Sequence, residues 1–244
     1  MSDAAHRLAP PSQQWESAPK NFSLPENVVH VWRAELTLES PEFLSADERE
    51  KAAQFHFQRN RKQYIAARGV LRQLIGRYEN IAPTAVQFTY NSFGKPGLDQ
   101  SSLRFNASHS GSLGLFAFAR NRNIGVDLER IRVDLATQEI AAQFFSEQEI
   151  AALRELPADS QTSAFFACWT RKEAFIKAHG SGLSLPLHKF VVSVEGPAQL
   201  LRTDFEPDAA RQWTLHQLNI SEEFAAALAV EGTADRIECW QWSS

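Results

Sequence analysis

The chain has 244 residues with a net charge of −4, a hydrophobic content of 43% and acidic and basic residues interspersed. This charge balance excludes a uniformly basic nucleic-acid binder, although it allows a local basic patch. No apolar run approaches the roughly 20 residues that a membrane-spanning helix needs. The sequence starts without the charged-then-apolar order of a signal peptide, and it holds only two cysteines. We therefore expect a cytoplasmic protein with no membrane and no nucleic-acid partner.

Residues 1–25 predict a mobile leader. They contain Pro10, Pro11 and Pro19 and show little hydrophobic periodicity. From residue 26 the pattern becomes regular, and the predicted elements run strand, helix, helix, strand, strand. Ser45 and Glu48 have the spacing of a capping box, which predicts the start of the first helix. These five segments are residues 28–36, 43–55, 59–78, 86–90 and 113–119.

The second half repeats this order, with Ser146 and Glu149 as a second capping box. Its segments are residues 123–131, 144–153, 165–179, 189–195 and 223–230. The sequences FLSADE and FFSEQE lie 101 positions apart, so we hypothesise two copies of one α+β unit. Chance similarity of two capping boxes is the alternative. The predicted fold is α+β, with subdomains at residues 26–121 and 122–244 related by a pseudo-twofold axis and an active site in the cleft between them.

Acidic residues of the second half form a candidate metal site. Asp127 and Glu129 alternate in a short apolar run, so in a strand both side chains leave the same face. Glu173 and Lys177 lie four residues apart along the edge of a predicted helix. Three carboxylates and a lysine are suited to a magnesium–phosphate site, because hard cations prefer oxygen ligands. The alternative is an ordinary surface ion pair between Glu173 and Lys177.

The two predicted halves differ in chemistry. Where the second half has Asp127 and Glu129, the first has Trp32 and Ala34, so we expect one metal site. The first half instead carries a basic helical region suited to phosphate groups, although most of its charges are expected to be solvated. Its basic residues are Lys51, Arg59, Arg61, Lys62, Arg68 and Arg72.

Two short motifs in the last part of the first half are also candidates for ligand binding. Ser108 and His109 precede Gly111, a setting that allows close approach of a phosphate to the backbone. A histidine that serves only packing is the alternative. Lys95 follows Gly94 and precedes Pro96, which predicts a defined turn. An ordinary exposed turn lysine is the alternative for this residue.

Taken in order, the motifs GKP, FNxSHS, GxDxE, FFSxxE and WTxKEAxxKxxGxGLxLPL resemble the Sfp-type 4′-phosphopantetheinyl transferases. The resemblance spans residues 43–194. It implies a monomeric enzyme of the holo-[acyl-carrier-protein] synthase type. Such an enzyme moves 4′-phosphopantetheine from coenzyme A to a serine of an apo acyl or peptidyl carrier protein and releases adenosine 3′,5′-bisphosphate. The resemblance also implies Mg²⁺, or Mn²⁺ in its place. Carriers of fatty acid, polyketide, nonribosomal peptide and lysine pathways all stay open as partners.

The resemblance also implies roles for individual residues. Asp127, Glu129 and Glu173 correspond to the metal ligands, and Glu173 would also take the proton from the acceptor serine. Lys177 would contact the phosphates and stabilise the departing bisphosphate, with His109 beside it. The expected coenzyme A contacts are Lys51, Lys95, Ser108, His109 and Lys177.

Two positions depart from the family pattern. Glu48 stands where a lysine is sometimes found, and Gln63 stands where an arginine can hold the 3′-phosphate of coenzyme A. Arg59, Arg61 and Lys62 are therefore further candidates for that phosphate. By the same resemblance, the carrier-binding surface lies near residues 144–153, although apolar residues at this spacing also fit a core.

Two other functions remain open from the sequence. A magnesium-dependent phosphohydrolase could use the same carboxylates with water as the nucleophile, acting on coenzyme A or a related nucleotide. A non-catalytic carrier-binding module could keep the fold without the chemistry.

Overall fold

The structure is a computed structural model that describes residues 14–19, 22–135, 137–206 and 208–243. Within these ranges it has six α-helices: α1 Ala46–Ala53, α2 Gln58–Glu79, α3 Thr137–Phe144, α4 Glu147–Glu155, α5 Ala158–His179 and α6 Ala209–Gln212. None of these described helices has both the length and the apolar character needed to cross a membrane.

The same described ranges contain twelve strands. They are β1 Glu16–Ser17, β2 Val28–Glu35, β3 Thr89–Tyr90, β4 Pro96–Gly97, β5 Leu103–Ser110, β6 Leu113–Arg120, β7 Ile124–Arg130, β8 Phe190–Val192, β9 Leu200–Thr203, β10 Trp213–Gln217, β11 Phe224–Glu231 and β12 Arg236–Gln241. A five-stranded sheet has the order β1-β12-β2-β6-β5 and a three-stranded sheet the order β10-β11-β7. Strands β3 with β4 and β8 with β9 form two small ribbons.

Each of the two larger sheets is covered by one 22-residue helix. Leu71 and Leu74 of α2 share a core with Trp32 and Phe116 of the five-stranded sheet. Helix α5 packs in the same way against the three-stranded sheet, where Phe175 and Ala227 share a core. Burying one apolar stripe of a helix against one face of a sheet is the main source of stability for such layers.

The two sheets pack against each other through their inner faces. Val31 and Leu115 of the first sheet share a buried cluster with Val126 and Leu228 of the second. The order of layers is therefore helix, sheet, sheet, helix. The prediction of an α+β fold is confirmed.

Helix α5 approaches strand β7 unusually closely at Gly125. A Cβ atom at this position would lie 2.2 Å from the carbonyl oxygen of Ala174 and 2.3 Å from the nitrogen of Ala178. Such distances are far below van der Waals contact, so only glycine allows the helix backbone to rest on the strand here. This contact fixes the height of α5 above β7, on which the candidate site depends.

The C-terminal strand does not follow the predicted subdomain division at residues 121 and 122. Strand β12 pairs in parallel with β2 and therefore lies in the first sheet. Trp240 of this strand is buried in the core under α2, whereas Cys239 on its other face is buried between the sheets. Both faces of β12 are therefore buried, one under α2 and the other between the two sheets.

Several predicted elements have different lengths in the structure. The strand predicted at residues 86–90 is reduced to β3, and the strand predicted at residues 189–195 is reduced to β8. The helix predicted at residues 165–179 begins earlier, at Ala158 directly after Pro157. Pro157 lacks the backbone N–H that the interior of a helix requires, so α5 starts directly after it.

Part of the predicted leader belongs to the fold. Residues 1–13, 20 and 21 lie outside the described residues. Strand β1 pairs with β12 at the edge of the first sheet. The ring of Phe22 lies 5.2 Å from that of Trp32, and Leu24 is buried. The leader predicted for residues 1–25 therefore contributes a strand and two packed apolar side chains to the first sheet within its described part.

Candidate active site

The centre of the candidate site is an ion pair between Lys177 of α5 and Asp127 of β7. The ammonium of Lys177 lies 2.6 Å from Asp127 Oδ1 and donates to Ser108 Oγ at 2.9 Å. The Ser108 hydroxyl donates to the same Asp127 oxygen at 2.9 Å. Lys177 thus pairs with a carboxylate on another element, and not with Glu173 four residues earlier on its own helix.

A cleft opens beside this ion pair, where the two sheets and α5 meet. Glu129 and Glu173 line it together with Asp127, so the structure brings the three predicted metal ligands to one place. A second cleft adjoins it and shares the side chains of Glu173 and Lys177. The first cleft is lined by Ala107, Ser108, His109, Asp127, Glu129, Trp169, Glu173 and Lys177.

The electrostatics of this cleft are unfavourable for its carboxylates. Burial raises the pKa of Glu129 above its usual value, and the negative charge of Asp127 raises it further. Burial and Asp127 raise the pKa of Glu173 for the same reasons. Desolvation and the positive charge of Lys177 lower the pKa of His109. The site therefore has more negative charge than its solvation supports, and a bound cation would relieve this.

The donor set suits a hard divalent cation. One oxygen of Asp127, Oδ2, is buried without a hydrogen-bond partner, and the neighbouring donors are carboxylate oxygens. In the described part of the chain, however, no three Asp, Glu, His or Cys side chains are already grouped as a metal-binding cluster. The assignment of Asp127, Glu129 and Glu173 as metal ligands therefore stays a prediction.

Lys95 is not the exposed turn lysine of the alternative interpretation. Its ammonium donates to the carbonyl oxygens of Ala178, at 2.9 Å, and Ile124, at 3.1 Å. Burial lowers its pKa to about 8, with a further contribution from the charge of Arg104. The side chain thus joins the turn before β4 to the last turn of α5 and the first residue of β7.

The basic residues of the first half have several environments. Arg72 is fully buried, and its Nε lies 2.6 Å from Glu48 Oε2, so this residue is not among the solvated charges. Arg68 Nε lies 2.7 Å from the other oxygen of Glu48. Glu48 therefore neutralises two arginines inside the protein, which explains why a carboxylate occupies this position. Lys51, Arg59, Arg61 and Lys62 are exposed.

Gln63 also has a structural contact. Its side-chain amide donates to the carbonyl oxygen of Gly111, in the turn between β5 and β6. This turn directly follows Ser110, whose hydroxyl donates to Glu129 Oε2 at 3.3 Å. Gln63 thus fixes the turn next to the carboxylates.

The sequence interpretation missed two residues that line the clefts. Asn106 lines the second cleft and Trp169 lines the first. Asn106 was detectable, because residues 106, 108 and 110 are all polar and alternate along one strand face. Trp169 lies four residues after Phe165 on one stripe of the predicted helix, and periodicity alone does not distinguish a cleft wall from a core.

The segment predicted to bind a carrier is divided between core and surface. Phe145 is buried and stacks on Phe165, with ring centroids 5.2 Å apart. Phe144 is half-buried, and its ring lies 5.7 Å from that of Trp169. The ring of Phe145 also lies 6.3 Å from that of Trp169, so both phenylalanines pack against this cleft residue.

Comparison with known proteins identifies the family. The family model of the 4′-phosphopantetheinyl transferase superfamily matches residues 123–229, and that of the 4′-phosphopantetheinyl transferase N-terminal region matches residues 32–120. The 4′-phosphopantetheinyl transferase HetI of Nostoc sp. is 35% identical over 241 residues, which cover 93% of this chain and 98% of HetI. The chain therefore belongs to the 4′-phosphopantetheinyl transferase family, and this prediction is confirmed.

A second relative agrees with this assignment, and a solved structure shows a partial likeness. The 4′-phosphopantetheinyl transferase Sfp of Bacillus subtilis is 34% identical over 159 residues, covering 65% of this chain and 70% of Sfp. A solved holo-(acyl-carrier-protein) synthase of Bacillus anthracis in complex with CoA (3′,5′-ADP) has a TM-score of 0.37 and 21% identity, covering 46% of this chain and 96% of that chain. HetI and Sfp, at 35% and 34% identity, support the Sfp type within the family.

Proposed function

We propose that this protein transfers the 4′-phosphopantetheine group of coenzyme A to a serine hydroxyl of an apo acyl or peptidyl carrier protein, with Mg²⁺. The observation that carries the proposal is the position of the Lys177 ammonium, 2.6 Å from Asp127 in a cleft lined by two further carboxylates. Reaction at a diphosphate requires a cationic group and oxygen donors for a divalent ion at the same place. The names of HetI and Sfp support the group that is transferred.

Asp127, Glu129 and Glu173 would hold the divalent ion. When bound, Mg²⁺ or Mn²⁺ neutralises charge on the diphosphate oxygens. The unpartnered Oδ2 of Asp127 and the raised pKa values of Glu129 and Glu173 support this set. All three ligands offer oxygen atoms, which is the donor type that these ions prefer.

In the proposed reaction, the serine oxygen of the carrier attacks the phosphorus that bears pantetheine. The bond from that phosphorus to the bridging oxygen breaks, and adenosine 3′,5′-bisphosphate leaves. Glu173 accepts the serine proton as the general base. Lys177 stabilises the charge on the leaving group, while Ser108 and His109 contact the phosphates from β5.

The outer part of coenzyme A would lie along the first half. Arg59 and Arg61 are exposed in the first turns of α2, where the helix dipole also favours an anion, so they are candidates for the 3′-phosphate. The ammonium of Lys62 lies 3.6 Å from Glu39 Oε1, and the ammonium of Lys51 lies over the ring of Tyr64. We propose that Lys95 acts near the nucleotide by shaping its turn.

The decisive experiment is to incubate the protein with Mg²⁺, coenzyme A and a panel of apo carriers and to measure carrier mass. We expect an increase of one phosphopantetheine group on at least one carrier, and the relative kcat/KM values would identify the preferred one. Release of adenosine bisphosphate without any carrier would instead support the phosphohydrolase. Carrier binding without any mass change would support the non-catalytic module.

An acyl carrier as the preferred acceptor would place the enzyme with the holo-[acyl-carrier-protein] synthases. The monomeric state and the cytoplasmic location stay predictions. Size-exclusion chromatography with light scattering tests the first of these, and cell fractionation tests the second.

A further inference from the structure

One edge of strand β7 is bonded by side chains in place of a neighbouring strand. Its other edge pairs with β11 in a regular antiparallel ladder. At the first edge, alternate backbone N–H groups donate to side-chain oxygens that project from β5. These bonds run from Val126 N to Asn106 Oδ1 (2.9 Å), from Leu128 N to Ser108 Oγ (3.3 Å) and from Arg130 N to Ser110 Oγ (3.0 Å).

The same edge continues one step further. The carbonyl oxygen of Ile124, two residues before Val126, accepts from Lys95 Nζ at 3.1 Å. Four successive even-numbered positions of β7 are therefore bonded by side chains of the first half. We call Lys95, Asn106, Ser108 and Ser110 the side-chain ladder. They occupy two of the motifs that the sequence singles out, GKP and FNxSHS.

A side-chain ladder differs from a backbone ladder in two ways. Strands joined directly lie about 4.8 Å apart, and an interposed side chain holds them further apart. The added width lies where Ser108 and His109 of β5 face Asp127 and Glu129 of β7 across the cleft. In addition, each hydrogen bond depends on one side chain, so a single substitution can remove the bond to one backbone group of β7.

We infer that Asn106 and Ser110 are positioning residues for the proposed reaction, which this inference assumes. They hold the backbone of β7 on either side of Asp127 and Glu129. They thereby set the distance between the phosphate-contacting side of the cleft and the carboxylate side. Asn106 is buried at 8% exposure, and its bond to Val126 leads to the backbone next to Asp127, not to a carboxylate.

The test for Asn106 compares two substitutions in the full-length chain that both keep a side chain branched at Cγ. Asn106→Leu removes the acceptor oxygen, whereas Asn106→Asp keeps it. We expect Asn106→Leu to weaken Mn²⁺ binding, measured by EPR without coenzyme A, by about 10-fold, as outer-shell substitutions at metal sites do. Hydrogen exchange of the Val126 amide should accelerate in Asn106→Leu and stay slow in Asn106→Asp.

The test for Ser110 uses a smaller change and a neighbouring control. Ser110→Ala should weaken Mn²⁺ binding and accelerate exchange of the Arg130 amide, whereas Ser110→Thr keeps the oxygen and should restore both. Ser112→Ala is the matched control. Ser112 lies in the turn between β5 and β6, and its hydroxyl contacts Glu35 of β2 and not β7. A lowered kcat at unchanged melting temperature would further support a positioning role.

The outcomes separate this inference from the proposed function. If Asp127→Asn does not change Mn²⁺ affinity in the wild-type background, the proposed metal site is wrong. If Asp127→Asn abolishes binding but Asn106→Leu and Ser110→Ala both bind Mn²⁺ like Ser112→Ala, the metal site stands and the positioning role is overturned. Loss of binding in Ser110→Ala that Ser110→Thr does not restore would also overturn it.

Discussion

The two halves of the molecule contain the same buried ion pair but different residues at the site positions. Glu48 caps α1 and Glu149 caps α4, and both carboxylates are almost fully buried. Glu48 binds Arg72 of α2 at 2.6 Å, and Glu149 binds Lys172 of α5 at 2.6 Å. The two cations are 100 positions apart at matching places in the two long helices.

Further contacts support this equivalence. The arginine also donates to the carbonyl oxygen of Val86 at 2.9 Å, and the lysine donates to that of Phe190 at 2.7 Å. The residue that follows each helix, Asn80 after α2 and Gly180 after α5, is in the left-handed conformation. The ion pair therefore belongs to the common scaffold and not to the chemistry.

The strands show where the halves diverge. Trp32 and Asp127 pair with equivalent positions of β6 and β11, as do Ala34 and Glu129. This register agrees with the sequence-based expectation that only the second half carries the acidic pair. The partner positions are Phe116 and Ala227 for the first comparison and Gly114 and Ala225 for the second.

The long helices diverge at the same level. Gln73 and Arg77 stand in α2, 100 positions before Glu173 and Lys177 in α5. The guanidinium of Arg77 lies 4.3 Å over the ring of Trp242, a cation–π contact with no counterpart at Lys177. The buried charge pairs occur in both halves and serve the fold. The cleft charges occur only in the second half and serve the proposed reaction.

The largest expected effect comes from removing the acidic position of the second half. Asp127→Ala should lower kcat/KM by about 10³-fold, because a metal ligand and the partner of Lys177 are both lost. Mass spectrometry of the carrier after timed incubation measures this effect. Asp134→Ala, at an exposed carboxylate outside the cleft, is the control and should keep full activity. Full activity of Asp127→Ala would contradict the metal assignment.

The shared ion pair provides the next test of the comparison. Lys172→Met leaves Glu149 buried without its cation and should lower the free energy of unfolding by about 3–5 kcal/mol. Arg72→Met should cost only about 1–3 kcal/mol, because Arg68 still lies 2.7 Å from Glu48. Urea unfolding measures both values. Equal losses in the two variants would show that the second arginine does not compensate.

The pH dependence of the reaction tests the role of Glu173. A base acts in its deprotonated form, so the rate should rise with pH and level off above the pKa of Glu173. Burial and Asp127 raise this pKa in the absence of a cation, and a bound divalent ion would lower it. Glu173→Gln should lower kcat by about 10²-fold and remove this acidic limb. A pH–rate profile of single turnovers distinguishes these outcomes. Retention of the limb in Glu173→Gln would assign it to another group.

The close approach at Gly125 provides a test that acts on the site only through the position of α5. Gly125→Ala places a methyl group against the backbone of α5 and should lower stability by about 1–3 kcal/mol. Because α5 carries Glu173 and Lys177, kcat should also fall. Gly97→Ala is the matched control, since its nearest neighbour would be 3.6 Å away. A Gly125→Ala protein with wild-type melting temperature would show that α5 shifts without cost.

The sequence predicted those parts of the fold and site that depend on local patterns. Both capping boxes and the shared face of Asp127 and Glu129 follow from spacing within a few residues. The pairing of Lys177 with Asp127 spans 50 positions, and the contact of Lys95 with Ala178 spans 83. Such contacts depend on how the layers pack, and no periodicity encodes them.

Strand β12 also limits the order in which the protein can be completed during synthesis. It lies between β1 and β2, so the first sheet stays divided until residues 236–241 have left the ribosome. Until then β2 exposes an open edge, and the pocket that receives Trp240 is unfilled. The basic half is therefore finished last, although most of it is translated first.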